Sequence, residues 1–204
     1  MRDTIEKHIK ENFKDYLILF LILMIGIIVG VISINNANEN QKQEASTYIN
    51  SFTSDLKNGS KIDYGTLLAN TIKDNIKLVC IIAFLSLSIF GAIGVYAIIG
   101  YKGFCMGYTI SSIIIALGSG KGFLCSLTLM LMSKIILIPA IFFLSVSSLK
   151  IYKMIINNDE RSDLKRQLVS YIIKAVITLV VLIMVAFIET YLNTNLFLCI
   201  LKYL

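Results

Sequence analysis

The chain has 204 residues, 56% hydrophobic and 16% charged, with a mean hydropathy of +0.78 and a net charge of +6. Soluble domains carry about a quarter charged residues. A core this small cannot hide so much apolar surface, so a soluble globular domain is excluded, and disorder with it. What remains is an all-α, polytopic helical membrane protein, whose basic excess belongs to cytoplasmic loops rather than to nucleic-acid binding.

A transmembrane helix needs about 20 apolar residues. Tyr16–Ile34 carries no charge. It is too long for a signal peptide, and Ile32-Ser33-Ile34-Asn35 offers no small-residue cleavage site. It is the first predicted helix. Asn35 to Lys77 is the one sizeable polar stretch, an extracytoplasmic loop with five basic and five acidic residues and so no net field. Tyr48, Ile49, Phe52 and Leu56 recur at helical spacing, as do Tyr64, Leu67, Leu68, Ile72 and Ile76. Asn58-Gly59-Ser60 separates the runs as a turn, and Ser60 with Asp63 three residues on resembles a capping signal. The pattern predicts a helical hairpin with one apolar face. That face packs on its own bundle, lies on the outer leaflet, or holds a partner.

Leu78–Ile99 is the second predicted span and Gly103–Leu117 the third, with Gly100–Lys102 as an inner loop. The third is short, since its 15 residues cover only about 22 Å. Gly118 to Gly122 forms a tight turn. It is not a phosphate loop, because Ile115 stands where the first glycine belongs and Gly122 follows the lysine. The fourth span, Phe123–Leu149, contains Lys134 and Pro139 and is long enough to require tilt or a kink. The fifth is Leu168–Ile188, with Lys174 near its start and Glu189 at its end. Thr190–Leu204 is too short to span and is expected at the interface or against the bundle. The reading is a single membrane domain over 1–204 with about five transmembrane helices.

An inner N-terminus puts ten basic residues in the inner segments (1–15, 100–102, 150–167) and seven in the outer ones. The positive-inside rule then favours a cytoplasmic N-terminus and an external C-terminus.

Catalytic chemistry finds few parts here. His8 is the only histidine, which rules out a histidine triad and a two-histidine zinc site. The four cysteines form no C-x-x-C pair; Cys80 and Cys125 fall near outer span ends, where a bridge is geometrically conceivable. No cofactor and no metal is expected. Lys134 is costly in mid-membrane, about 2.5–3.5 kcal/mol on the insertion scale. Glu189 is its nearest candidate partner, as a structural ion pair or as part of an ion path. Gly26 and Gly30 form a G-x-x-x-G face, and Gly103 and Gly107 form another. Such faces let helices approach closely in lipid, within one chain or between copies.

Gly103-Phe104-Cys105-Met106-Gly107, with Gly100-Tyr101-Lys102 before it, resembles the G-F-x-x-G turn of the stage II sporulation protein M family. Gly120-Lys121-Gly122-Phe123 is similar to that family's second K-G-F turn, and Ile135-Ile136-Leu137-Ile138-Pro139 to its apolar run ending in I-P. The polar step ahead of that run is Met132-Ser133-Lys134 here, in place of the family's Pro-Gln-Asn-like step. The charged N-terminal segment, first helix and outer loop also match in order, so the resemblance covers essentially the whole chain. It implies a non-enzymatic scaffold in the mother-cell and septal membrane. Stage II sporulation proteins D and P, which cut peptidoglycan, are the implied partners, and engulfment of the forespore the implied process. A small permease or transporter membrane subunit is the alternative. It would need a charge-dependent path through Lys134.

Overall fold

The computed structural model describes residues 10–57, 63–88, 90–156 and 164–196, with backbone only for 55–57, 129–132 and 164. The elements are helices throughout these residues. They are α1 (Phe13–Asn35), α2 (Glu39–Lys57), α3 (Tyr64–Ser86), α4 (Gly91–Leu117), α5 (Ser119–Ile156) and α6 (Leu164–Phe187), which runs on into a π-helical turn, Ile188–Asn193. Among the described residues four helices are long and apolar enough to cross a membrane: α1, α4, the Ser133–Ile156 part of α5, and Lys165–Leu196. Helix α3 joins them as a fifth long element that is apolar only beyond Lys77, so the fold is a polytopic helical membrane bundle of about five helices.

Two span boundaries differ from those predicted. Leu78–Ile99 is not one helix, because α3 stops at Ser86. The Ser86 hydroxyl donates to the carbonyl of Ala83 at 2.6 Å, and Ser88 accepts the Phe90 amide on its own hydroxyl at 3.3 Å. Serine hydroxyls offer the backbone a partner outside the helical ladder, and an apolar run conceals the turn they make. The chain restarts at Gly91 and continues as one 27-residue helix through Gly100, Lys102 and Gly103. The G-F-x-x-G segment is therefore the middle of a helix and not a turn, and the short third span is a full-length one of about 40 Å.

Glycine holds that segment helical for a tertiary reason. A methyl group on Gly26 would fall on the carbonyl of Gly100, and one on Gly30 on the carbonyl of Phe104. A methyl on Gly103 would meet the Leu23 carbonyl, and one on Gly107 the Ile27 carbonyl. The register rises together, 23 with 103 and 27 with 107, so α1 and α4 run parallel with their backbones in contact. Lipid supplies no hydrophobic drive for helix pairing, which leaves close van der Waals approach to do it.

Helices α3 and α5 each run antiparallel to α6, and so parallel to one another, with Ser148 Oγ donating to the Ile82 carbonyl between them. Asn75 Nδ2 donates to the carbonyl of Leu182 at 3.1 Å, and at the far end Tyr64 stacks on Tyr191 with ring centroids 5.4 Å apart. Lys174 lies 5.8 Å over the ring of Phe143, tying α6 to α5. Helices α4 and α5 are joined at Gly118, whose φ of +84° is the left-handed region that favours glycine. Gly122 then packs its Cα face on Ile113 and Ile114.

These contacts define two ends. At one, Lys153 Nζ reaches both carboxylate oxygens of Asp15 at 2.8 and 2.9 Å, and Gly91 packs on Tyr152. At the other, Asn35 Nδ2 donates to Ser111 Oγ at 3.3 Å beside the Gly118 turn. The core between them is built on Leu19, Leu23, Ile82, Val95, Ile99, Leu144 and Leu182. Buried hydroxyls in it bond back along their own helices, Ser112 to the Tyr108 carbonyl and Thr178 to that of Lys174, since lipid offers no other acceptor.

Both runs of the predicted hairpin are helical. Its first run forms α2, which packs against α4 and buries Thr53. Its second run is the start of α3, capped by Asp63, whose carboxylate accepts from the amides of Gly65 and Thr66 and from the Thr66 hydroxyl. Cys80 and Cys105 are free thiols, so Cys80 forms no bridge to Cys125. His8, the turn at 58–60, Cys199 and the tail at 197–204 lie outside the described residues.

Candidate functional site

A cavity of about 420 Å³ lies in the bundle, and the first five helices and the π-helical turn after α6 contribute to its wall. Leu23 comes from α1, Phe52 from α2, Thr71 from α3, Lys102 from α4, and Lys134 and Leu137 from α5. Glu189, Thr190 and Asn193 come from the π-helical turn after α6, and Thr194 follows it. That volume is in the range of small-molecule sites, which run from about 300 to 1,000 Å³. A π-helical turn rotates the residues after it relative to an α-helix and recurs at functional sites. Here it brings Glu189, Thr190 and Asn193 onto the cavity side.

Lys134 Nζ and Glu189 Oε1 are 3.0 Å apart, with side chains 22% and 31% exposed. The two residues singled out as intramembrane charges are thus joined across α5 and α6. Removing one partner would strand the other charge, at a cost of about 3–5 kcal/mol when the pair is fully buried and less at this exposure. Next to this pair, Asn193 Nδ2 donates to Ser133 Oγ at 3.1 Å, with both residues almost fully buried. Thr190 is fully buried, and among the described residues its hydroxyl oxygen has no hydrogen-bond partner. A buried hydroxyl left unpaired costs about 1–3 kcal/mol.

Lys102 was expected in an inner loop. It sits instead near the midpoint of α4, half-buried, and faces the same cavity as Lys134 and Glu189. Among the described residues it makes no ion pair of its own. Asp74 and Glu189 lie within electrostatic reach of it, and Lys134 opposes it. Two signals in the sequence mark this wall. Ile99, Lys102, Met106 and Thr109 share one helical face, beside the glycine face of Gly100, Gly103 and Gly107. Glu189 and Asn193, and Thr190 and Thr194, repeat at four-residue intervals, a polar helical stripe continuing past the predicted end of the fifth span. The first was hidden by placing Lys102 in a loop, and the second by ending the fifth span at Ile188.

The other candidates fall elsewhere. Gly26, Gly30, Gly103 and Gly107 form the α1–α4 seam. Phe104 sits within that seam and leans on Tyr108, ring centroids 6.0 Å apart. Gly122 closes the α4–α5 hairpin, and Phe123 beside it is 54% exposed. Pro139 lies inside α5, which continues through it, on an exposed face.

A helical bundle with apolar outer faces and charges gathered on an internal cavity defines a polytopic integral membrane protein. A family model described as stage II sporulation protein M matches residues 19–193. The chain belongs to the stage II sporulation protein M family, a family of sporulation-related membrane proteins that is not a known enzyme family. No curated protein matches the chain, and no solved structure does.

Proposed function

We propose that this chain is a non-enzymatic scaffold in the membrane of a sporulating cell, part of the engulfment complex that recruits peptidoglycan hydrolases to the septum. The observation that carries the reading is the family match over residues 19–193, which takes in every long helix of the bundle. Hydrolysis then belongs to the partners, the stage II sporulation proteins D and P, and this chain gives them a place in the membrane.

The sidedness of the scaffold rests on its basic residues. With Lys102 moved from a loop into α4, the ten inner basic residues of the N-in arrangement become nine, against seven outside. That still favours a cytoplasmic N-terminus. The Asn35 end, with α2 beside it, then faces the compartment where the septal wall lies. Helix α2 is polar and has an exposed flank that includes Tyr48, 76% exposed, and Ser51. Tyrosine is enriched where partners bind, since it offers a large contact at little entropic expense.

Tyr48→Glu tests the reading without disturbing the buried side of α2. Affinity-tagged protein from sporulating cells should recover the hydrolases at least about fivefold less well than wild type, in line with loss of an aromatic anchor. Equal recovery removes α2 from the docking role. A chain expressed equally in vegetative cells sinks the engulfment reading itself.

A further inference from the structure

A groove of about 680 Å³ separates α2 from α4 and the end of α1. Its α2 wall runs from Gln41 to Phe52, its α4 wall from Tyr108 to Leu117, and Ser33 lines it from α1. The α1–α4 seam fixes its depth. Ile27 is level with Gly107, so the α4 wall stands beside the last two turns of α1. There Ile28, Val29 and Ile32 are at least half exposed, on a helix long and apolar enough to cross a membrane. Ser33 follows Val29 by one turn on the same face of α1, so the groove is continuous with this lipid-facing surface.

Ala45, Ile49, Ile113 and Leu117 make the walls mainly apolar. Walls without neighbours lose their dispersion contacts, and apolar walls do not hold water, so this space calls for an apolar occupant. Its length suits one hydrocarbon chain. The rise from Gln41 to Phe52 is about 16 Å, and one leaflet fills about 15 Å of the hydrocarbon core. Phe52 and Thr109 line both the groove and the central cavity, and so form its floor. The mouth carries a sign. Glu44 is exposed there, and among the described residues no lysine or arginine lines the groove. Lys42, two residues before Glu44, does not face it, because residues at that spacing point to different sides of a helix. An anionic headgroup meets the carboxylate as a like charge, and an ammonium meets it as a counter-ion.

We propose that the groove holds one acyl chain of a phospholipid, and that Glu44 selects a headgroup bearing an ammonium, as phosphatidylethanolamine does. Lipid then completes the packing of α2 on the bundle and leaves the polar flank of α2 to water.

The test uses the full chain purified in a neutral detergent. Phosphatidylethanolamine and phosphatidylglycerol of the same acyl chains are the probes, and native mass spectra and melting midpoints are the readouts. Phosphatidylethanolamine should remain bound at one molecule per chain, about threefold more tightly than phosphatidylglycerol, the scale of one exposed ion pair. Glu44→Gln should bind the two lipids equally. Ala45→Phe, which fills the groove, should expel both, and Gln43→Ala, on the other flank of α2, should match wild type. Equal affinity of the wild type for the two lipids overturns the proposal, as does undiminished binding by Ala45→Phe. A lipid-free dimer assigns the groove to a second copy and overturns it too. Should Ala45→Phe fail to purify as a single folded species, Ala37→Phe at the mouth takes its place, and the Glu44→Gln comparison still decides the matter.

Discussion

Asp63 shows how one side chain sets an element boundary. Its carboxylate satisfies two of the four amides that an α-helix leaves unpaired at its start, and so fixes where α3 begins. The hydrogen bonds from the Thr66 hydroxyl and amide hold its pKa below the ordinary value of 3.8. The cap is therefore complete at neutral pH and is lost as the pH falls through the lowered native value, since protonation favours the unfolded chain. Asp63→Asn keeps a capping oxygen that does not titrate. It should leave the neutral-pH melting midpoint of the detergent-solubilised protein nearly unchanged and flatten its fall between pH 5 and 2, a range set by about one to two units either side of the carboxylate value. The same acid slope in the variant would show that the cap carries no pH dependence. The sequence pointed three residues too early, to Ser60, because the capping box is a pattern of types and any nearby Ser or Asp fills it.

At the scale of elements, the α1–α4 seam is the most extensive pairing among the described helices, and it was half legible. Each G-x-x-x-G face stands out in the sequence on its own. Their meeting as one seam, and their parallel direction, needed the rest of the chain to be in place. The obstruction that glycine relieves is backbone, not a flexible side chain, so a larger residue forces the helices apart. Gly107→Val should destabilise the protein by about 2 kcal/mol or more, the overpacking range for a rigid site. In a chain of this size that lowers the melting midpoint by roughly 5 °C or more. Gly120→Ala is the matched control, since a methyl there meets nothing within 4 Å, and its midpoint should stay level or rise. A Gly107→Val midpoint equal to wild type would mean that the seam does not hold α1 to α4. The serine turn at Ser86 and Ser88 is the counterpart that the sequence concealed, because two hydroxyls in an apolar run leave the hydropathy of a span intact.

For the whole molecule, the contacts reduce topology to one choice. The start of α1, the α3–α4 break and the end of α5 share one end through Asp15, Lys153, Gly91 and Tyr152. The end of α1 and the α4–α5 turn share the other through Asn35 and Ser111. Labelling therefore fixes the orientation of every helix at once. Single cysteines at Ser54 and Ser119, introduced into a chain lacking the native four, should react with an impermeant maleimide applied to intact cells. A cysteine at Ser162 should react only after lysis. Labelling at Ser162 from outside inverts the arrangement and puts α2 in the cytoplasm.

The amino-acid sequence by itself determined that this is a helical membrane protein of this family, with its glycine faces and its pair of charges, Lys134 and Glu189. Hydropathy and residue spacing are one-dimensional properties, and lipid imposes them strongly, since every spanning backbone must satisfy its own hydrogen bonds. Tertiary structure alone decided that Gly100–Gly103 is helix and that the polar stripe beyond Glu189 turns inward. It also decided that Lys102 joins the ion pair on one cavity wall. Those outcomes depend on which helices touch and in what register, and the meeting of residues 102 and 189 on one cavity wall leaves no trace in the local pattern around either.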